Sequence, residues 1–176
     1  MTERILIAGF GGQGVMLLGR IIAETAIKEG MNVAYLKSYG AEMRGGTANC
    51  LVQVSSQDIF SPIFSKSSAA IILNQPSFEK FKNAAEKKGM LIINSSLIKV
   101  PSLKMGVLVK SISLNEIAKE AGSLKSANIA VLGFLLKVKP FLSLDAAVQT
   151  IKTVFSGRKA LIEINLRALE KGYNYG

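Results

Sequence analysis

A short apolar run, Arg4 to Ala8, leads straight into "GFGGQGV", Gly9 to Val15, and the residues that follow repeat with helical spacing. Arg20, Glu24 and Lys28 recur every fourth residue and mark a solvent face, while Leu18, Ile21, Ile22 and Ala26 line the other side of a helix predicted over Gln13 to Glu29. A buried strand, a glycine turn and a helix in that order confine the chain to an α/β fold. The spacing Gly9-x-Gly11-x-x-Gly14 also matches the dinucleotide fingerprint. In such a turn Gly9 permits the tight bend, Gly11 lets a phosphate or another backbone come close, and Gly14 lets the helix pack against the strand. The glycines therefore suit either a nucleotide phosphate or an approaching protein. Gln13, whose amide both donates and accepts, is expected to reach a ligand or a neighbouring chain.

The remaining pattern continues the alternation. Strands are predicted at Asn32 to Leu36, Ala48 to Val54, Ala69 to Leu73, Met90 to Ile93 and Val107 to Val109. Gly30 closes the first helix, and Ser77 is read as the cap of a helix running to Lys88. "SLNE", Ser113 to Glu116, has capping-box spacing and starts a short helix ending near Gly122. Helices near Asn128 to Lys137, Ser143 to Phe155 and Lys159 to Lys171 complete the chain. The expected architecture is a single α/β domain over residues 1–176: an open, mostly parallel, Rossmann-like sheet with helices on both faces.

Composition removes whole classes of function. With 176 residues at 49% hydrophobic content there is enough for one core and little for a second. No apolar run approaches the roughly 18–20 residues of a membrane span, and Met-Thr-Glu-Arg does not read as a leader, so a cytoplasmic chain without a membrane partner is expected. There is one cysteine, Cys50, and no histidine, so neither a disulfide nor a usual zinc, haem or cluster ligand set is available. The missing histidine also removes the commonest general base. Cys50 is read as a small buried hydrophobe. The net charge of +10 invites a nucleic-acid reading, but residues 1–50 carry five Lys/Arg against four Asp/Glu while residues 51–176 carry 17 against 8. The glycine-rich part is nearly neutral, and the lysines at 80, 82, 87 and 88 lack the interleaved aromatics of a base-stacking surface. A solvated basic face is the simpler account, and no nucleic acid is expected.

A second glycine-rich stretch, "SYGAEMRGGTANC", Ser38 to Cys50, leaves the second strand and is expected beside the first turn, so that two loops line one crevice. Gly40 and the Gly45-Gly46 pair bracket Glu42 and Arg44. Arg44 suits bidentate binding of a carboxylate or phosphate. The alternative is that Glu42 and Arg44 hold the loop by pairing with each other or with backbone carbonyls. A nicotinamide site wants a carboxylate at the end of the second strand. That place reads Leu36-Lys37-Ser38-Tyr39, which offers no carboxylate but would suit a 2′-phosphate, so an independent NADP-binding oxidoreductase stands as the alternative.

Taken in order, "GFGGQGV", "SYGAEMRGGTANC", "SPIF" at Ser61 to Phe64 and "ANIAVLGFLL" at Ala127 to Leu136 resemble the gamma subunit of 2-oxoacid:ferredoxin oxidoreductases over nearly the whole chain. The Glu-Met-Arg wording is more similar to 2-oxoglutarate and branched-chain members than to indolepyruvate ones. Two places depart from the family's pattern: Ala41 stands where a proline is usual, and the usual aspartate before the apolar strand is missing near Ser68. The resemblance implies a complex that oxidatively decarboxylates a 2-oxoacid, transfers the acyl group to coenzyme A and reduces ferredoxin. It implies alpha, beta and ferredoxin-like delta partners that carry thiamine diphosphate, magnesium and iron-sulfur clusters. This chain lacks the Gly-Asp-Gly segment typical of thiamine diphosphate sites and the cysteines for a cluster. It is therefore expected to hold no cofactor, metal or catalytic residue of its own and to be inactive alone. Gly9, Gly11, Gly12, Gln13, Gly14, Glu42, Arg44, Gly45 and Gly46 are the expected cofactor-binding or subunit-contact positions, with coenzyme A as the substrate they would meet.

Overall fold

The computed structural model describes residues 1–38, 47–99 and 106–176. Strand β1 (Thr2–Phe10) is followed by helix α1 (Val15–Lys28), β2 (Asn32–Ser38), β3 (Thr47–Ser55) and β4 (Ser67–Ile72). Helix α2 (Gln75–Phe81), β5 (Ala85–Asn94), β6 (Leu108–Ile112) and α3 (Leu114–Ala121) come next. A 3-10 turn (Leu124–Ser126) then leads into α4 (Ala127–Val138), α5 (Leu144–Val154) and α6 (Lys159–Tyr173). The strands form one sheet in the order β2-β3-β1-β4-β5-β6. Pairs β1/β4, β4/β5 and β5/β6 are parallel, and β3 runs antiparallel to both of its neighbours. The reversal has a simple cause. Ser38 and Thr47 are separated by only eight residues, and a parallel crossover needs about a dozen or more.

The expected alternation places Ile5 and Ile7 of β1 on one face and Leu6 and Ala8 on the other. The first face is thick: α1, α3, α4, α5 and α6 all bury residues against it, among them Leu18, Ile117, Ile129, Ile151 and Leu169. On the second face α2 is the single helix among the described residues, anchored by the fully buried Phe78. Helices thus lie on both faces, unequally. Close helix contact on the thick side depends on two glycines, because a Cβ on Gly133 would lie 2.0 Å from the Leu169 carbonyl oxygen and one on Gly172 1.9 Å from that of Ala130.

Three local expectations are corrected. Helix α2 is capped by Asn74, whose Oδ1 accepts the Ser77 backbone N–H at 2.9 Å, and it ends at Phe81. Residues 85–88 join β5 because the edge of β4 captures them: Ser67 donates its N–H to the Ala84 carbonyl at 2.9 Å, and Ser67 pairs with Ala85. Tertiary pairing here overrides helix propensity. Lys87 and Lys88 therefore do not share a helix with Lys80. Ser113 stands at the N-cap of α3 but makes no side-chain capping bond. Its hydroxyl meets Ser95 and Tyr175 instead, and Glu116 accepts from Ser96. Ser68, near the departure noted above, bonds Glu3 through its hydroxyl, and Glu3 also pairs with Lys139 at 3.0 Å. An aspartate at 68 would confront that carboxylate, so serine and Glu3 belong together.

Candidate functional site

The carboxyl ends of β1, β4 and β5 converge on the glycine turn. Gly9 is the penultimate residue of β1, and a Cβ there would lie 2.8 Å from Gln13 Oε1 and 3.1 Å from Leu73 Cβ. It is glycine because Gln13 folds back over it. Gln13 Oε1 accepts from the Phe10 N–H at 2.7 Å and from Asn74 Nδ2 at 2.9 Å, and its Nε2 donates to the Leu73 carbonyl at 3.4 Å. Asn94 Nδ2 reaches the same carbonyl at 3.3 Å. The amide expected to meet a ligand is engaged within the chain, tying the turn to the ends of β4 and β5.

Gly14 has φ 74° and stands at the N-cap of α1. Its carbonyl accepts from Asn128 Nδ2 at 3.2 Å, and a Cβ would fall 2.3 Å from that nitrogen. What Gly14 makes room for is thus the first turn of α4 rather than β1. Gly11 and Gly12 are left facing outward. Both are exposed, and Gly12, at φ 95°, has no neighbour within 4 Å of where a Cβ would sit.

Beside Gly12 and Gln13 lies a cavity of about 260 Å³, with Asn94, Leu97, Leu124 and Lys125 among its lining residues. Leu97 and Leu124 are 44% and 53% exposed, so the opening has an apolar lip. Lys125 supplies a cation, and no carboxylate lines the cavity among the described residues. The arrangement suits a ligand or partner segment that combines an extended apolar part with a negative group. Sequence reasoning missed Asn74, Asn94 and Lys125. The two asparagines each follow a buried strand run directly, "IIL" and "LII", and that position at a strand's carboxyl end is the signal.

Glu42, Arg44, Gly45 and Gly46 lie outside the described residues. Their described flanks stand at the same end of the sheet as the glycine turn: Thr47 pairs with Phe10, and Ser38 with Asn49. That placement overturns the NADP reading. A ribose-binding second strand has to adjoin the first, whereas here β3 intervenes and sets β2 two strand spacings, roughly 10 Å, from β1. The Lys37 ammonium lies 5.5 Å from the Tyr35 ring centroid.

Cys50 is fully buried, and its Sγ contacts the Val15 carbonyl at 3.6 Å. Burial pushes the thiol up to about 12, against smaller opposing effects of the Lys37 charge and a hydrogen bond with Tyr35. Only on the order of one thiol in ten thousand is then ionised at pH 8. Folded protein is expected to resist iodoacetamide at pH 8 and to be alkylated completely in denaturant. Mass spectrometry reads this directly, and rapid native labelling would contradict it.

Among the described residues no helix is long and apolar enough to cross a membrane. The family model described as pyruvate ferredoxin/flavodoxin oxidoreductase matches residues 4–175. The chain belongs to this family. A ketoisovalerate oxidoreductase subunit, VorA of Methanothermobacter marburgensis, is 34% identical over 173 residues, covering 98% of this chain. This chain spans only 36% of that relative's length. Among solved structures, a keto/oxoacid ferredoxin oxidoreductase gamma subunit from Geobacter sulfurreducens superposes with a TM-score of 0.83 at 28% identity, covering 97% of this chain and 96% of that one. A 2-oxoglutarate:ferredoxin oxidoreductase from Magnetococcus marinus, solved with 2-oxoglutarate, coenzyme A and succinyl-CoA, gives 0.89 at 25% identity, with 97% and 30% covered. The family's gamma-subunit fold is therefore the fold of this chain.

Proposed function

We propose that this chain is the gamma subunit of a thiamine-diphosphate-dependent complex that converts a 2-oxoacid and coenzyme A to acyl-CoA and carbon dioxide while reducing ferredoxin. Either 2-oxoglutarate or a branched-chain 2-oxoacid is favoured as substrate over pyruvate. The observation that carries the reading is the glycine turn. Gly9 and Gly14 are occupied by the chain's own Gln13 and Asn128, whereas Gly11 and Gly12 face outward next to an apolar-lipped cavity with one lysine. Such a surface suits close approach of a neighbouring subunit and of coenzyme A, whose long pantetheine arm, with its methyls and amides, matches Leu97, Leu124 and Asn94 and whose phosphates match Lys125. A chain with no histidine and one buried thiol does not fit a cluster or a metal-held cofactor. Thiamine diphosphate, magnesium and the iron-sulfur clusters belong on alpha, beta and ferredoxin-like delta partners. Arg44 is assigned to coenzyme A phosphate, where a charge-assisted pair contributes about 1.5–3 kcal/mol.

The test is to purify the tagged chain gently from its own cells and assay the material for 2-oxoacid-dependent, coenzyme-A-dependent dye reduction. Larger subunits and that activity are expected to co-purify. Arg44→Ala should assemble normally and raise the KM for coenzyme A roughly tenfold or more. Recovery of the chain by itself would defeat the subunit reading, and an unchanged KM would remove Arg44 from the coenzyme A site.

A further inference from the structure

The segment Ser56 to Lys66 brings Phe64 and Ser65 onto the sheet face that α2 leaves thinly covered, and it exposes two other large apolar side chains. Phe60 is 97% exposed and Ile63 71%. Phe64 turns inward, and together with Leu6, Leu51 and Phe81 it lines a cavity of about 240 Å³. The backbone at Ile63 is ordered locally: the Ser61 hydroxyl accepts from the Ile63 N–H at 3.3 Å and contacts the Ile63 carbonyl at 3.2 Å, with Pro62 fixing the backbone between them. Phe60 and Ile63 lie on the same loop that supplies Phe64 and Ser65 to this recess, and two large exposed apolar side chains on one short loop mark a contact surface where a lone one would not.

The charges around it identify the occupant. Lys66 bonds the Asn83 carbonyl at 2.7 Å between recess residues Ser65 and Ser67, and the Lys80 ammonium lies 5.3 Å from the centroid of Phe81. Asp58 lies on the loop itself, and Glu79 is tied to Lys82 at 2.7 Å. On the loop and α2 with its C-cap, Lys66, Lys80 and Lys82 stand against Asp58 and Glu79, in a chain of net charge +10. A second copy would carry the same lysine excess and the same net charge of +10. We infer that the Phe60-Ile63 loop and the neighbouring recess dock an acidic-rimmed protein surface on a partner subunit of the complex. The assignment rests on the subunit reading above.

The experiment co-expresses the chain with its tagged partner subunits and measures how much is retained. Phe60→Ser with Ile63→Ser removes the apolar tips, and because both are exposed the melting curve of the isolated chain should match wild type. Retention should drop at least tenfold. Lys66→Glu with Lys80→Glu, an independent pair that leaves the apolar tips intact, should lower retention several-fold and flatten its dependence on salt. Wild-type retention of both double variants would overturn the assignment while leaving the subunit reading standing. An isolated wild-type dimer that Phe60→Ser with Ile63→Ser converts to monomer would give the surface to a second copy and overturn it too. Failure of the wild-type chain itself to be retained would overturn the subunit reading, and the docking assignment with it.

Discussion

Gly172→Ala is expected to lower the midpoint of thermal unfolding by roughly 6–12 °C. The added carbon would fall 1.9 Å from the Ala130 carbonyl oxygen and 2.7 Å from its carbon. These are backbone atoms of α4, so no side chain can swing aside. Gly133 faces the reciprocal problem, with the Leu169 carbonyl oxygen at 2.0 Å. The two helices cross glycine against backbone, and α4 cannot retreat because its other sides are packed: Ile129, Ala130, Val131 and Leu132 are all buried. Overpacking at this level costs about 3 kcal/mol, and for a chain of this size each kcal/mol shifts the midpoint by about 2–4 °C. A circular-dichroism melt checks it, with Gly133→Ala as the companion measurement. A shift of no more than about 2 °C for both would mean that α4 and α6 separate easily, contrary to the packing described.

That crossing also marks where the sequence stops being legible. Apolar runs gave away the strands, because a buried strand has to be apolar on both faces, and the helix start near Ser143 was readable; its hydroxyl caps that helix by accepting the Ala146 N–H at 3.2 Å. Gly133 lies inside "ANIAVLGFLL" and Gly172 near the end of the chain, and no periodicity links them. Only the tertiary crossing does. The reversal of β3 was foreshadowed by a short connection, but the insertion of β3 between β1 and β2 was not, since a hairpin can add to either side of its partner. That single insertion separates Lys37 and Ser38 from the glycine turn and removes the nicotinamide reading. Gln13 was recognisable as unusual. Its task was not, because the partners that consume its amide, Leu73 and Asn74, lie sixty residues away.

The second large effect tests what the fingerprint glycines are for. Gly14→Ala places a methyl 2.3 Å from Asn128 Nδ2 and also forces alanine to φ 74°. The backbone conformation costs about 1–2 kcal/mol, and the collision brings the total to about 3 kcal/mol. The two parts are separable. Asn128→Ala alone loses the bond to the Gly14 carbonyl but also removes a buried Oδ1 that has no partner among the described residues. Its net cost should therefore be about 1 kcal/mol or less. In the Gly14→Ala background the same change relieves the collision, so the double variant should be more stable than Gly14→Ala alone. The cycle, read from urea midpoints, should give a coupling of about 1–2 kcal/mol. Simple additivity would mean that Gly14 does not exist to admit Asn128. If the coupling is found, the last glycine of the fingerprint is accounted for by the chain's own α4, as the first is by Gln13, and the part of "GFGGQGV" free to meet coenzyme A or a neighbouring subunit narrows to Gly11 and Gly12.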